Sequence, residues 1–288
     1  MLSAMGHANV VAVMAAKLSR TSTRVVVSER TTVSGAYQNA TGLSAKLTFR
    51  LMRSLYPNAD GICSVSKAVA LDLAEFVNLP SDKVEVIYNP FNLQLIERKA
   101  VADCGHPWLS GEGCPVIIAI GRLNEAKDFH ILISAFAKMR RSRAARLLIL
   151  GEGELRSSLE ALASAIGLTP DDVQMPGFVD NPFAYLSRSA LFVLSSRREG
   201  LPGALIEAMA CGTPVVSTDC RSGPDEILEG GRWGRLVPVG DVDALAKAMT
   251  EVLDTPRDQL PDVRARARDF EQERAVDAYL RLLGVQAA

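Results

Sequence analysis

Ser195-Ser-Arg-Arg-Glu-Gly-Leu-Pro-Gly-Ala-Leu-Ile-Glu-Ala-Met-Ala-Cys-Gly-Thr-Pro-Val-Val-Ser217 decides how this chain folds. The apolar run Ala190-Leu-Phe-Val-Leu194 just before it has the length and bulk of a buried strand. Glu199 and Glu207 stand on either side of a Gly-Leu-Pro-Gly turn. Pro202 suits the first turn of a helix, where its missing N–H would have no partner anyway. The letters from Gly203 to Cys211 read as helix, and Gly212-Thr213-Pro214 stops it before Val215-Val216. The pattern is strand, acidic turn, helix with a second acid, strand.

A helix N-terminus behind a glycine-rich turn offers unpaired N–H groups and partial positive charge to an anion. The small residues let a phosphate approach the backbone closely. A carboxylate accepts paired hydrogen bonds from vicinal hydroxyls. With Glu199 before the turn and Glu207 one helical turn inside, the arrangement suits a diphosphate flanked by two hydroxyl-rich rings, which is a nucleotide sugar. The plainer reading is that both acids are solvated charges near a helix start.

Working outward, Pro115-Val-Ile-Ile-Ala-Ile120 reads as another buried strand, followed by Gly121-Arg-Leu-Asn-Glu-Ala-Lys-Asp128. The carboxyl end of a parallel strand is where ligands of doubly wound sheets bind. Arg122 can fork onto two phosphate oxygens, and Lys127 adds a mobile point charge. Gly151-Glu-Gly-Glu-Leu155 offers a second phosphate cradle through Gly151 and Gly153, or simply a strand-to-helix turn that needs a left-handed residue.

Helices are expected at 129–140, 154–165, 241–253 and about 263–283, and strands at 146–150, 172–175 and 235–237. Earlier in the chain, strands are expected at 24–29, 60–65 and 82–87. A helix over Asn9–Leu18 reads as buried on more than one side, and another opens at Ser66. The pattern fades from Phe91 to Gly113, so the lobes are expected to meet near residue 110, as 1–110 and 111–288. Alternating strands and helices imply an α/β fold with two doubly wound Rossmann-like lobes.

The 288 residues are 48% hydrophobic and 23% charged, with a net charge of −1, which gives no reason to expect nucleic-acid binding. No apolar run reaches the roughly 18 residues that span a bilayer. No basic residue precedes the run Val10–Ala16, so a signal peptide is not expected. Five cysteines without metal spacing fit a reducing cytoplasm. Peripheral contact at the inner membrane stays open. His7, His106 and His130 have no acidic or Cys partners at metal spacing and read as packed or surface residues.

Glu199-Gly-Leu-Pro-Gly-Ala-Leu-Ile-Glu207 resembles the E-x7-E motif of the retaining glycosyltransferases of the GT-B fold, in the large family 4 (glycosyl transferases group 1). Ala208-Met-Ala-Cys-Gly-Thr-Pro-Val-Val216 matches the family's continuation. The resemblance implies transfer of a sugar from a UDP- or GDP-linked donor to a hydroxyl acceptor, in polysaccharide or glycoconjugate synthesis. The acceptor would be a saccharide, a lipid-linked saccharide or a small molecule. It also implies no metal or other cofactor, because Arg122, Lys127 and the helix start near Gly200 neutralise the leaving phosphate. Glu199 would orient the donor sugar and Glu207 would hold the ribose. Gly121, Gly151, Gly153, Gly200, Leu201 and Pro202 would line the donor. Met175-Pro-Gly-Phe-Val-Asp-Asn181 resembles the loop that meets the nucleobase, with Phe178 and Val179 as contacts, although Phe178 reads equally well as a core aromatic. Ser222-Gly-Pro-Asp-Glu226 matches a helix start facing the cleft.

The resemblance is nearly complete from residue 110 onward and partial before it. About three strands are legible ahead of the linker, so the chain is expected to be shortened at its N-terminus, with an incomplete first lobe. The family's histidine near the donor sugar is replaced by Ser28-Glu29-Arg30-Thr31, and whether Glu29 or Arg30 substitutes is left open. A nucleotide-sugar-binding subunit without transfer activity is the alternative function.

Overall fold

Val25, Val26 and Val27 are all buried, which requires a strand covered on both faces. In the computed structural model, which describes residues 1–19, 22–38, 40–111 and 113–285, Val26 and Val27 belong to a four-stranded parallel sheet, and Val25 leads into it. Its order is β1 (Leu2–Ala4), β2 (Val26–Glu29), β3 (Gly61–Ser64), β4 (Glu85–Val86). Successive side chains of a strand point to opposite faces. Val25, Val27 and Ile62 therefore join a core with Val10, Val13, Leu73 and Tyr56, from helices and the turn on one side. Val26, Cys63 and Ile87 meet Ala275, Ala278, Tyr279 and Leu282 on the other.

That second face corrects the expected ending. The stretch 263–283 is not one helix: it breaks into Val263–Ala267, a 3-10 turn Arg268–Phe270, and the helix Gln272–Leu283. The last of these closes the first sheet. Gly61 has no side chain because Leu282 lies where it would project, with Cδ1 at 2.7 Å from a Cβ built there. One compact unit accordingly holds Met1–Pro90 and the chain from Phe270 onward, and the other holds Phe91–Asp269. The division falls at Pro90 rather than near residue 110 because Leu93–Ala100 is a helix of the second unit. Its carbonyls at Lys99 and Ala100 accept bonds from Asn181 and Ser187.

Two more expectations change. The first unit has four strands instead of three, because Leu2–Ala4 pairs with Val26–Ser28 at the sheet edge. The first helix, Gly6–Ser19, is buried on one side only, through Asn9, Val10, Ala12 and Val13, while Val11, Met14 and Leu18 are exposed.

The second unit has a six-stranded parallel sheet in the order β10 (Arg235–Val237), β9 (Val215–Thr218), β8 (Leu191–Leu194), β5 (Val116–Ile120), β6 (Arg146–Leu150), β7 (Val173–Gly177). Its apolar core includes Ile117, Phe136, Leu147, Val193 and Met249. The order turns back between β5 and β8, which are neighbours through Ile117↔Leu191 and Ile118↔Phe192. Such a reversal opens a crevice at the carboxyl ends of the two strands. The loops after β5 and β8 are the two stretches singled out from sequence.

Candidate active site

The β5 and β8 loops are stitched together by their own polar groups. The Arg197 amide donates to the Ala126 carbonyl at 2.8 Å, and the Ser195 hydroxyl to the Lys127 carbonyl at 2.8 Å. Arg197 also pairs with Asp128 at 2.5 Å, whose side chain is almost wholly buried. Lys127 and Glu199, 72 residues apart, then meet: Nζ donates to Oε1 at 2.6 Å. The Ser196 hydroxyl donates to the same oxygen at 2.7 Å. Oε1 is thus held twice, while Oε2 takes no bond from the described residues.

The turn carrying Glu199 is braced from behind. Ser222 donates its hydroxyl to the Glu199 carbonyl. Gly223 has φ +97°, and a Cβ there would lie 2.4 Å from Pro202 Cδ. Only glycine permits that approach. The helix Gly203–Ala210 starts with no side-chain cap, so its first N–H groups keep no side-chain partner. Pro202 stands at the cap position, one residue ahead of the first turn where its sequence context put it.

Glu207 lies one turn inside this helix. Burial pushes its carboxyl above the usual range, and no hydrogen bond or ion pair to it exists among the described residues. Sheltering a carboxyl without a partner costs on the order of 1–3 kcal/mol or more.

The glycines of the β5 and β6 loops permit backbone contact. Gly151 has φ +137°, and a Cβ there would fall 2.0 Å from the Gly121 carbonyl oxygen. A Cβ on Gly153 would fall 2.4 Å from the Leu123 carbonyl oxygen. The Leu123 amide donates to the Glu152 carbonyl at 2.9 Å, and the Gly121 amide to Leu150 at 3.0 Å. A cavity of about 360 Å³ opens there, lined by Gly121, Arg122, Gly151, Glu152, Phe178 and Val179. Phe178 is 79% exposed, so the reading of it as a core aromatic does not hold. Arg122 is exposed and bridges to Glu154 at 3.2 Å.

The sequence-selected residues therefore form two groups. Lys127 and Glu199 are bonded to each other; Gly121, Arg122, Gly151, Phe178 and Val179 surround one cavity. Gly121 links the groups, since a Cβ on it would press on the Lys127 chain at 3.1 Å. Gly200, Leu201 and Pro202 form the braced turn, and Gly153 supports the cavity's loop from below. Ser195 and Ser196 had no role assigned from sequence, and Ser222 stood only in the stretch matched to a helix start facing the cleft. Their signal was a set of hydroxyls that end buried apolar strands or precede a glycine turn. The histidines fall elsewhere: His106 caps a turn through the Trp108 amide and faces Gln174, and His130 lies beside Ser158.

Comparison with known proteins bears on this arrangement. Residues 114–255 match the family described as Glycosyl transferases group 1, and residues 3–95 match Glycosyltransferase Family 4. The chain is 32% identical over 280 residues to an N-acetylgalactosaminyltransferase of Campylobacter jejuni that acts on a diphospho-undecaprenol-linked saccharide, covering 96% of this chain and 74% of that enzyme. It is 35% identical over 173 residues to the lipopolysaccharide core glycosyltransferase LpsE of Rhizobium meliloti, covering 59% of this chain and about half (49%) of LpsE. Among solved structures, Anabaena HepE in complex with UDP superposes with a TM-score of 0.79 at 21% identity, covering 98% of this chain and 77% of HepE. The two parallel-sheet units are those of the GT-B fold, and the chain belongs to the group 1, family 4 glycosyltransferases.

Proposed function

We propose that this chain transfers a sugar, with retention at the anomeric carbon, from a nucleoside diphosphate sugar held by the second unit to a hydroxyl of a saccharide acceptor. The observation that carries the proposal is Glu207, a desolvated carboxyl with no partner, set one turn inside an uncapped helix start. A ribose diol supplies the donors that this carboxyl lacks, and the diphosphate takes the helix N–H groups. Glu199 offers Oε2 to the donor sugar's hydroxyls while Lys127 and Ser196 fix Oε1. Lys127 and Arg122 then face the phosphate whose charge grows as the sugar leaves. Arg122 exchanges its exposed, solvent-screened bridge to Glu154 for the phosphate. The leaving phosphate accepts the acceptor's proton on the same face. The cavity at Phe178 and Val179 takes the base. UDP is the first nucleotide to test, since HepE is seen with UDP.

A lipid-linked saccharide is the proposed acceptor, as in the Campylobacter relative's name. No helix among the described residues is long and apolar enough to cross a membrane. Docking on an anionic bilayer at the inner membrane's cytoplasmic face is supported by the helix Leu43–Leu55. It presents Leu43 (90% exposed), Lys46, Leu47 (55% exposed) and Arg50 at helical spacing and holds no acid. Glu29 is the only acid before Asp60 in the sequence.

Calorimetry with UDP, GDP and their common sugars tests the donor site. Binding of one nucleotide by the wild type, and its loss in Glu207→Ala, is expected. No nucleotide binding at all would overturn the proposal. Donor hydrolysis without acceptor, followed by transfer to a saccharide panel, separates a transferase from a binding subunit.

A further inference from the structure

Asp128 lies directly before the helix Phe129–Arg140, where an aspartate ordinarily has extended backbone and caps the first N–H groups. Here the backbone is left-handed instead, with φ +48°, and the side chain makes no capping bond. Glycine would adopt that conformation without strain. The chain keeps a carboxylate there and buries it, with 2% of the side chain exposed. Strain and a sheltered charge at one residue are both costs, and such outliers gather where a fold fixes its chemistry. The carboxylate has a defined partner: Arg197 Nε donates to Asp128 Oδ2 at 2.5 Å.

Arg197 thereby holds both chain neighbours of Lys127. Its amide donates to the Ala126 carbonyl at 2.8 Å, and its guanidinium to Asp128. The backbone of Lys127 is engaged as well. Its amide lies 3.2 Å from both the carbonyl oxygen and Oδ1 of Asn124, and its carbonyl accepts from Ser195 at 2.8 Å. With the main chain pinned on both sides, the torsions between 126 and 128 set the direction in which the Lys127 stem leaves the loop. The left-handed turn at Asp128 is the step in that path that runs against local preference, and a bond from the β8 loop maintains it. Arg197 stands two residues before Glu199, so one short segment carries both the clamp and the acid that Lys127 meets.

We propose that Arg197 and Asp128 are positioning residues for Lys127, a clamp that aims its ammonium at Glu199 Oε1 and at the phosphate that departs with the nucleotide. The part concerning the phosphate rests on the glycosyl-transfer reading; the part concerning Glu199 does not. Two measurements on the full chain keep them apart. The first is the coupling between Lys127 and Glu199, from chemical denaturation of Lys127→Ala, Glu199→Ala and the double variant. It is measured in the wild type and again in Asp128→Asn and in Arg197→Ala. Asp128→Asn keeps the shape and the tolerance of left-handed backbone but removes the charge. Arg197→Ala keeps the amide bond to Ala126 and removes the guanidinium. The second is hydrolysis of UDP-glucose, UDP-N-acetylglucosamine and GDP-mannose without acceptor, with UDP affinity measured by calorimetry.

In both backgrounds the coupling should fall to less than about half. Turnover should drop by about tenfold or more, as for a misplaced catalytic group, while UDP affinity changes by less than about threefold. Arg197→Lys, which keeps a cation on a flexible stem, should restore part of both losses. Should Arg197→Ala leave too little folded protein, Asp128→Asn carries the same comparison. Lower stability with coupling intact would mean that the pair merely ties two loops, and overturns the inference whatever happens to turnover. Coupling lost with turnover intact upholds the clamp and sinks the role of Lys127 in transfer. If the wild type hydrolyses none of the donors, the coupling alone decides the clamp, and the transfer reading falls separately.

Discussion

At the scale of single residues, Glu207 and the Lys127–Glu199 pair make separable predictions. Because burial raises the Glu207 carboxyl, the native chain keeps that proton to higher pH than the unfolded chain. Between the ordinary value of 4.5 and the raised one, unfolding releases a proton, so stability falls as pH rises through that window and stays lowered above it. Glu207→Gln removes the penalty. The ligand-free variant should melt higher than wild type at neutral pH, the difference closing below the ordinary carboxylate value, and it should bind UDP more weakly. A pH series of thermal melts checks this. The Lys127–Glu199 pair is mostly buried, with side-chain exposures of 22% and 12%. Removing either partner leaves the other charge sheltered, which costs about 2 kcal/mol, while removing both costs little more than one. Chemical denaturation of Lys127→Ala, Glu199→Ala and the double variant should show this coupling. Lys127→Ala should also lower kcat by far more than it weakens UDP binding. The residue types at 127 and 199 were legible in sequence. Their bond was not, because it depends on β5 and β8 being neighbours across 72 residues.

At the scale of elements, legibility followed how much of an element's stability is local. β5 announces itself with Val116-Ile-Ile-Ala-Ile120, all apolar, because both its faces are covered. β1 carries a single bulky apolar residue and is a strand only through pairing with β2, beginning with the Val26 amide on the Met1 carbonyl at 2.9 Å. The helix Leu93–Ala100 spaces Leu93, Ile96 and Ala100 on one face, but eight residues before a glycine- and proline-containing segment read as linker. The loop end of β6 was legible because Gly151 and Gly153 there meet backbone carbonyls that no side chain would tolerate. The helix Leu43–Leu55 was legible as an element, and its exposed face carries a prediction of its own. Lys46→Glu with Arg50→Glu reverses two exposed charges without touching Met52, which is buried in the core. Charge near an anionic bilayer is worth about 1 kcal/mol per basic residue. Co-sedimentation with phosphatidylglycerol vesicles should fall by about tenfold or more in the double variant, and UDP affinity should not change. Equal sedimentation of wild type and variant would remove this helix as the docking face.

At the scale of the whole molecule, the chain's path matters more than its two sheets. A parallel sheet must be covered on both faces, and among the described residues before Pro90 the long helices of the first unit are Gly6–Ser19, Leu43–Leu55 and Lys67–Val77. These pack with Val25, Val27 and Ile62. The opposite face, Val26, Cys63 and Ile87, waits for Ala275 and Ala278, which follow Ile87 by 188 positions or more (275 − 87) and Val26 by more still. Periodicity gave the final helix its amphipathic character but not its destination, since an apolar stripe does not say which sheet it will cover. The unit is therefore completed only when the last part of the chain arrives. Ala278→Glu tests the point, because position 278 is 8% exposed and faces that patch. A carboxylate there is buried without a partner, at a cost of about 3 kcal/mol or more. Hydrogen exchange should accelerate at β2 and β3, at Val26–Glu29 and Gly61–Ser64. β5 and β8, whose Ile117, Ala119, Leu191 and Val193 pack in a cluster of described residues that reaches no further than Leu260, should keep their protection. UDP affinity should stay within about twofold of wild type, since every residue of the proposed donor site lies between Phe91 and Asp269. Equal loss of protection in both sheets would mean that the two units unfold as one.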